Sequence, residues 1–111
     1  MEIIDEVIGK AMVLKLSGRL DSTSSAILKD RVKDCAKSGQ TRLVIDMVEV
    51  DFVDSSGLGT LVACLRSVNK VGGDIRIAGL QDRVRAVFEL IRLHQIFEVF
   101  DGTKTAADSF K

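Results

Sequence analysis

Leu43-Val44-Ile45-Asp46-Met47 is a dense apolar run bounded by polar residues, and on either side of it the apolar period changes. An unbroken run of this kind suits a short strand covered on both faces. Before it, Leu28, Val32, Cys35 and Ala36 recur at i, i+4, i+7 and i+8, with Lys29, Asp30, Lys33 and Lys37 off the stripe. After it, Leu58, Leu61, Val62, Leu65 and Val68 repeat the helical spacing. A doubly covered strand between one-sided helices belongs inside a sheet with helices laid against it. The other segments extend the pattern. Ile3–Ile8 and Ala11–Ser17 read as a hairpin around Gly9-Lys10, with Met12, Leu14 and Leu16 on one face of the second strand. Gly18-Arg19-Leu20-Asp21 then leaves that strand, and Ser22-Thr23-Ser24-Ser25 offers N-caps for the first helix, which Gly39 closes.

Asp54-Ser55-Ser56 opens the second helix and Gly72-Gly73 stops it. Asp74–Ala78 alternates like a half-exposed strand, while Val84, Val87, Phe88 and Ile91 return to helical spacing. Ile96–Phe100 reads as a last strand and 103–111 as a terminal helix. The order β-β-α-β-α-β-α-β-(α) predicts an α/β fold with a mixed sheet of four to five strands. Leu14, Leu16, Val44, Ile45, Leu61, Leu65, Ile77, Val87 and Phe88 are the expected core. With no linker or repeat, residues 1–111 are expected to form a single domain.

Composition narrows the function. Lys and Arg number 16 against 16 Asp and Glu, so the net charge is +0 and the basic surplus of a general nucleic-acid binder is missing. The 5 Phe are the only aromatic residues, too few for base-stacking platforms. Cys35 and Cys64 are far apart and read as small buried hydrophobes, a usage that fits a reducing cytoplasm. The acidic N-terminus is unlike a signal peptide, and no apolar run approaches the ~18 residues of a membrane span.

His94 is the only histidine, expected in a solvated or capping role, and no nucleophile elbow or His/Cys metal set accompanies it. Asp46, Glu49, Asp51 and Asp54 could in principle hold magnesium, but strand-end acids are usually solvated. Gly57-Leu58-Gly59 lacks the third glycine of a dinucleotide loop, because Val62 stands in its place, and lacks the Gly-Lys-Ser/Thr of a P-loop. No catalytic residue, metal ligand or cofactor of its own is expected.

What remains is Val53-Asp54-Ser55-Ser56-Gly57-Leu58-Gly59, between a strand and a helix. One reading is purely local: Asp54 or a serine caps the helix and the glycines allow a tight turn. The other uses the second hydroxyl. A phosphate on an exposed serine here would meet helix N-terminal amides and add about −1.5 to −2 charge beside Asp51 and Asp54.

On these residues the chain resembles single-domain STAS proteins of the bacterial anti-sigma factor antagonist family. Asp54-Ser55-Ser56-Gly57-Leu58-Gly59 carries the likeness. Leu16-Ser17-Gly18-Arg19-Leu20-Asp21, Gly72-Gly73 and Val84-Arg85-Ala86-Val87-Phe88-Glu89-Leu90 support it. The resemblance implies a partner-switching protein rather than an enzyme. Ser55 would be the phosphoacceptor of a serine kinase that is also the anti-sigma factor, and a PP2C-type phosphatase would restore the hydroxyl. ATP and magnesium would belong to those partners.

The resemblance places Asp21, Asp54, Ser56, Gly57 and Leu58 at the partner surface, with Ser56 not the acceptor. Arg19 stands where the family commonly has Glu, either as a solvated strand-end residue or as a rim charge that alters partner preference. No nucleic acid and no membrane insertion are expected, and the chain itself would be a monomer or weak dimer. The alternative within the family is a STAS adaptor subunit of a lipid-transport or stress-signalling assembly, without a kinase cycle.

Overall fold

The computed structural model describes residues 1–110. Its elements are β1 (Glu2–Ile8), β2 (Ala11–Leu20), α1 (Ser25–Lys37), β3 (Arg42–Val53), α2 (Ser55–Lys70), β4 (Asp74–Ala78), α3 (Asp82–Leu90), a 3-10 turn (Leu93–Gln95), β5 (Val99–Phe100) and α4 (Thr103–Asp108). They form a five-stranded sheet in the order β1-β2-β3-β4-β5. β1 pairs antiparallel with β2, and every later pair is parallel.

That order decides where the helices go. Each step from β2 to β5 moves one strand further in the same direction. Right-handed crossovers therefore place α1, α2 and α3 together on one face. There Leu14, Leu16, Ile45 and Ile77 of the sheet meet Leu28 and Val32 of α1, Leu61 and Leu65 of α2, and Val84 and Phe88 of α3 in one core. The opposite face is left to α4, whose Ala106 and Ala107 cover Ala11, Val13, Val44 and Ala78. Small side chains on both sides let this short helix lie close to the strands.

Several elements differ from the sequence reading. Val87 is only half-buried and packs at the edge of the core. Ile91 lies past the end of α3 and is 48% exposed, because the helix stops before it and Arg92 turns at φ 62°. The 3-10 turn over Leu93–Gln95 runs on into an irregular stretch at 96–98, so of the strand expected over Ile96–Phe100 only Val99 and Phe100 pair as β5. The last residue of the expected terminal helix, Lys111, lies outside the described residues.

Two strands run longer than their apolar runs. β2 continues through Leu20 by way of register shifts at Lys15/Ser17 and Gly18/Arg19, where Gly18 takes φ +108°. β3 continues beside it to Val53, so Arg19 pairs with Phe52 and Leu20 with Val53. Pairing to a neighbour, rather than hydrophobic pattern, sustains these ends. Among the described residues no helix is long and apolar enough to cross a membrane.

Candidate functional site

The adjacent carboxyl ends of β2 and β3 carry the serine turn. Asp54 leaves β3 in an extended conformation (φ −103°, ψ −175°) and caps α2, its carboxylate accepting the Gly57 N–H at 2.9 Å. Its own N–H donates to the Leu20 carbonyl at 3.3 Å, tying the turn to the end of β2. Gly57 is buried against the same carbonyl: a Cβ there would stand 2.2 Å from Leu20 O. Ser55 and Ser56 are therefore the first two residues of α2, and both are exposed. Their amides have no hydrogen-bond partner among the described residues, as is usual for a helix start.

The second wall is the loop from Arg19 to Ser24. Asp21 Oδ1 accepts from the Thr23 hydroxyl at 2.6 Å, the Thr23 N–H at 3.0 Å and the Ser24 N–H at 3.3 Å. The Thr23 hydroxyl, then these backbone amides and the Arg19 charge, hold the Asp21 carboxyl below its ordinary value despite an opposing desolvation. Ser24 is buried but does not cap α1 with its side chain; its hydroxyl donates to the Arg19 carbonyl at 2.7 Å and accepts the Asp21 N–H at 2.9 Å. Asp21 O takes the first-turn role instead, accepting from Ser25 N–H at 3.0 Å.

Arg19 crosses from β2 to the Phe52 ring on β3, its guanidinium carbon 3.9 Å from the ring centroid and its Nε 3.7 Å from Asp21 Oδ2. The structure thus gathers Arg19, Asp21, Asp54, Ser55 and Ser56 at one end of the molecule. Gly57 and Leu58, placed at the partner surface by resemblance, are instead buried; Leu58 is 9% exposed and belongs to the core. Their part is to hold the turn from beneath. The sequence reading gave no separate role to Phe52, Leu20 or Thr23. Phe52 could have been noticed as an aromatic residue between Asp51 and Val53 at a strand end, but its partner Arg19 is set by register alone.

The other candidates are elsewhere. Asp46 faces the sheet side opposite the large core and accepts from Val48 N–H at 3.1 Å, and among the described residues no three His, Cys, Asp or Glu gather as a metal-ligand group. His94 is exposed in the 3-10 turn. Cys35 and Cys64 are free and buried, and burial pushes the Cys64 thiol up to about 11.

A cavity of about 470 Å³ lies between α1 and α2 and is lined by Lys29, Lys33, Cys64 and Val68, with neither serine of the turn in its wall. A depression of about 210 Å³ adjoins Phe52, bounded by Asp51, Val53, Arg83, Val84 and Val87. The strand order never reverses, so the sheet has no topological switch point to open a ligand crevice beside the turn. The serines are exposed at the start of α2 and line neither of these cavities, an arrangement open to another protein's surface.

The STAS domain family model matches residues 2–106. The chain belongs to the STAS domain family. Over its whole length it is 26% identical to BtrV of Bordetella bronchiseptica, covering 96% of that relative. It is 28% identical over 91 residues to the anti-sigma-B factor antagonist of Staphylococcus aureus, an alignment covering 82% of this chain and 84% of that one. Among solved structures it shares its fold with the Bacillus protein SpoIIAA. The unphosphorylated form of SpoIIAA superposes with TM-score 0.74 at 21% identity over 97% of this chain and 96% of that one. The phosphorylated form does so with TM-score 0.75 at 20% identity over 99% and 100%. This STAS chain has the α/β fold with a mixed five-stranded sheet that its sequence pattern predicts.

Proposed function

We propose that this STAS protein is an anti-sigma factor antagonist that works by partner switching. In its unphosphorylated form it binds a serine kinase that is also the anti-sigma factor, and phosphorylation of Ser55 releases it. The observation that carries this reading is the exposed Ser55 hydroxyl on a turn held rigid from both sides, by Asp54 on Gly57 N–H and by Gly57 against Leu20. The name of the Staphylococcus relative and the two solved forms of SpoIIAA support it.

In the transfer, Ser55 Oγ forms a bond to the γ-phosphorus of ATP held by the kinase. The bond from that phosphorus to the bridging oxygen breaks, ADP leaves, and the hydroxyl proton passes to a base on the kinase. A PP2C-type phosphatase reverses the state with water as nucleophile, releasing inorganic phosphate. ATP and magnesium reside on those partners.

The phosphate adds about −1.5 to −2 charge next to Asp54 and within a few residues of Asp51. Against a closely fitted partner this produces repulsion and desolvation, while helix N-terminal amides keep the modified turn itself stable. A hundredfold loss of affinity corresponds to about 2.8 kcal/mol.

Incubation of the chain with ATP, magnesium and each serine kinase/anti-sigma factor of the source organism, read by intact mass and site mapping, tests the reading. Wild type and Ser56→Ala gain one phosphate on Ser55; Ser55→Ala gains none, folds normally and stays bound in the presence of ATP. Ser55→Asp binds more weakly. Phosphate mapped to Ser56, or ATP-dependent release of Ser55→Ala, refutes the mechanism and leaves the adaptor role.

A further inference from the structure

Arg19 is ordered and exposed at once. Its side chain is 62% exposed, yet the guanidinium lies on the Phe52 ring and beside the Asp21 carboxylate. At 3.7 Å the approach to Asp21 is an ion pair without a hydrogen bond, and Asp21 Oδ1 is already occupied by Thr23 and Ser24. Among the described residues the Arg19 guanidinium donates no hydrogen bond. A planar cation with a forked set of donors is therefore held in place beside the serine turn with those donors turned to no protein acceptor.

Holding it there lowers the entropy lost when a partner engages, because fewer rotamers remain to be frozen. The surroundings carry both signs. Asp21, Asp51 and Asp54 lie at the same end of the molecule, and Arg19 with Arg83, on the far side of Phe52, sets positive charge among them.

We infer that Arg19, positioned by Phe52, is a docking point for a carboxylate on the partner protein and sets which partner is accepted. This rests on the proposed function, since the partner is the kinase that acts on Ser55. Phe52 acts through Arg19 as a positioning residue: its ring holds the guanidinium carbon at 3.9 Å while the N–H donors stay free of protein acceptors among the described residues, available to a bidentate carboxylate. Lysine would keep the charge but lose both the stacking plane and the fork.

The test measures association and dissociation between the full chain and the kinase that phosphorylates it, across a salt series, with urea midpoints confirming that each variant is folded. At low salt Arg19→Glu slows association by about tenfold, and the difference shrinks as salt rises. Phe52→Leu slows it about two- to fivefold with the same salt trend, the range expected from losing an exposed cation–π contact. Phe52→Tyr keeps the ring and restores the wild-type rate, while Arg19→Lys falls between wild type and Arg19→Glu.

Association of Arg19→Glu at the wild-type rate in low salt overturns the inference. So does a Phe52→Leu effect that is equal at every salt concentration, which is the signature of packing alone. Either result leaves the phosphorylation of Ser55 untouched, so the inference can fail while the proposed function stands. If no kinase phosphorylates the wild-type chain, the proposed function fails and the docking point with it.

Discussion

Two glycines in the first turns of α2 should respond to the same substitution with opposite signs. Gly59 is exposed, and a Cβ built on it meets nothing within 4 Å. Gly59→Ala there gains helix propensity and is expected to stabilise the chain by about 0.5–1 kcal/mol. Gly57 is only two residues earlier, in the same helix, and would gain as much if propensity decided. Its Cβ, however, would lie 2.2 Å from Leu20 O, 2.9 Å from Leu20 C and 2.9 Å from Leu20 Cγ, far inside the ~3.5 Å of an ordinary carbon contact.

The obstacle is a backbone carbonyl, which cannot swing aside as a side-chain end can. Leu20 is also fully buried, pairs with Val53 and accepts the Asp54 N–H at 3.3 Å. Relief therefore means moving α2 from the end of β2. Overpacking of this kind costs about 1–3 kcal/mol, and weakening the Asp54 bond adds about 1 kcal/mol. Subtracting the propensity gain leaves a net loss of roughly 1–3 kcal/mol for Gly57→Ala. Urea unfolding followed by far-ultraviolet circular dichroism measures both variants, and the chain's lack of Trp and Tyr makes that signal preferable to fluorescence. If Gly57→Ala were as stable as Gly59→Ala, the close approach of α2 to β2 described above would be wrong.

Leu61→Ala, at a fully buried position under α2, should lower urea stability by about 2–5 kcal/mol; an unchanged midpoint would remove Leu61 from the core. The Asp21 carboxyl is held below its ordinary value of 3.8, first by the Thr23 hydroxyl, so its contribution to stability is present above 3.8 and is lost as pH falls through the lowered folded value. Thr23→Ala should move the Asp21 titration upward in a side-chain carboxyl NMR experiment, and an unmoved titration would contradict the hydrogen bond.

Cys64, 3% exposed with its thiol raised to about 11, should stay protonated at pH 8 and react with a thiol reagent far more slowly in the folded chain than in urea. Equal rates would place it at the surface.

The sequence by itself determined the alternation of elements. Periods of two and of three to four residues, with Gly39 and Gly72-Gly73 as stops, located every helix and the main strands, because local backbone preference and one-sided burial act over a few residues. It also singled out the serine turn as more than a cap needs, with Asp54 or a serine as the cap; the choice of Ser55 within it came from the family resemblance. The burial of Gly57 was not legible there, because a motif does not say which of its residues face inward; that of Leu58 was, since it heads the apolar stripe of α2, but the family resemblance placed it at the partner surface.

Strand ends escaped for a related reason. β2 reaches Leu20 and β3 reaches Val53 because each supplies the other's hydrogen-bond partners, a relation between segments more than thirty positions apart. That pairing alone sets Arg19 against Phe52, gives the strand-end arginine a fixed direction, and brings the Asp21 loop up to the serine turn. Likewise Val87, although in helical register with Phe88, sits at the border of the core because it faces the carboxyl end of β3 across the depression lined by Asp51, Phe52 and Val53. Periodicity tells which side of an element is apolar; only the assembled layers decide how much of that side is covered.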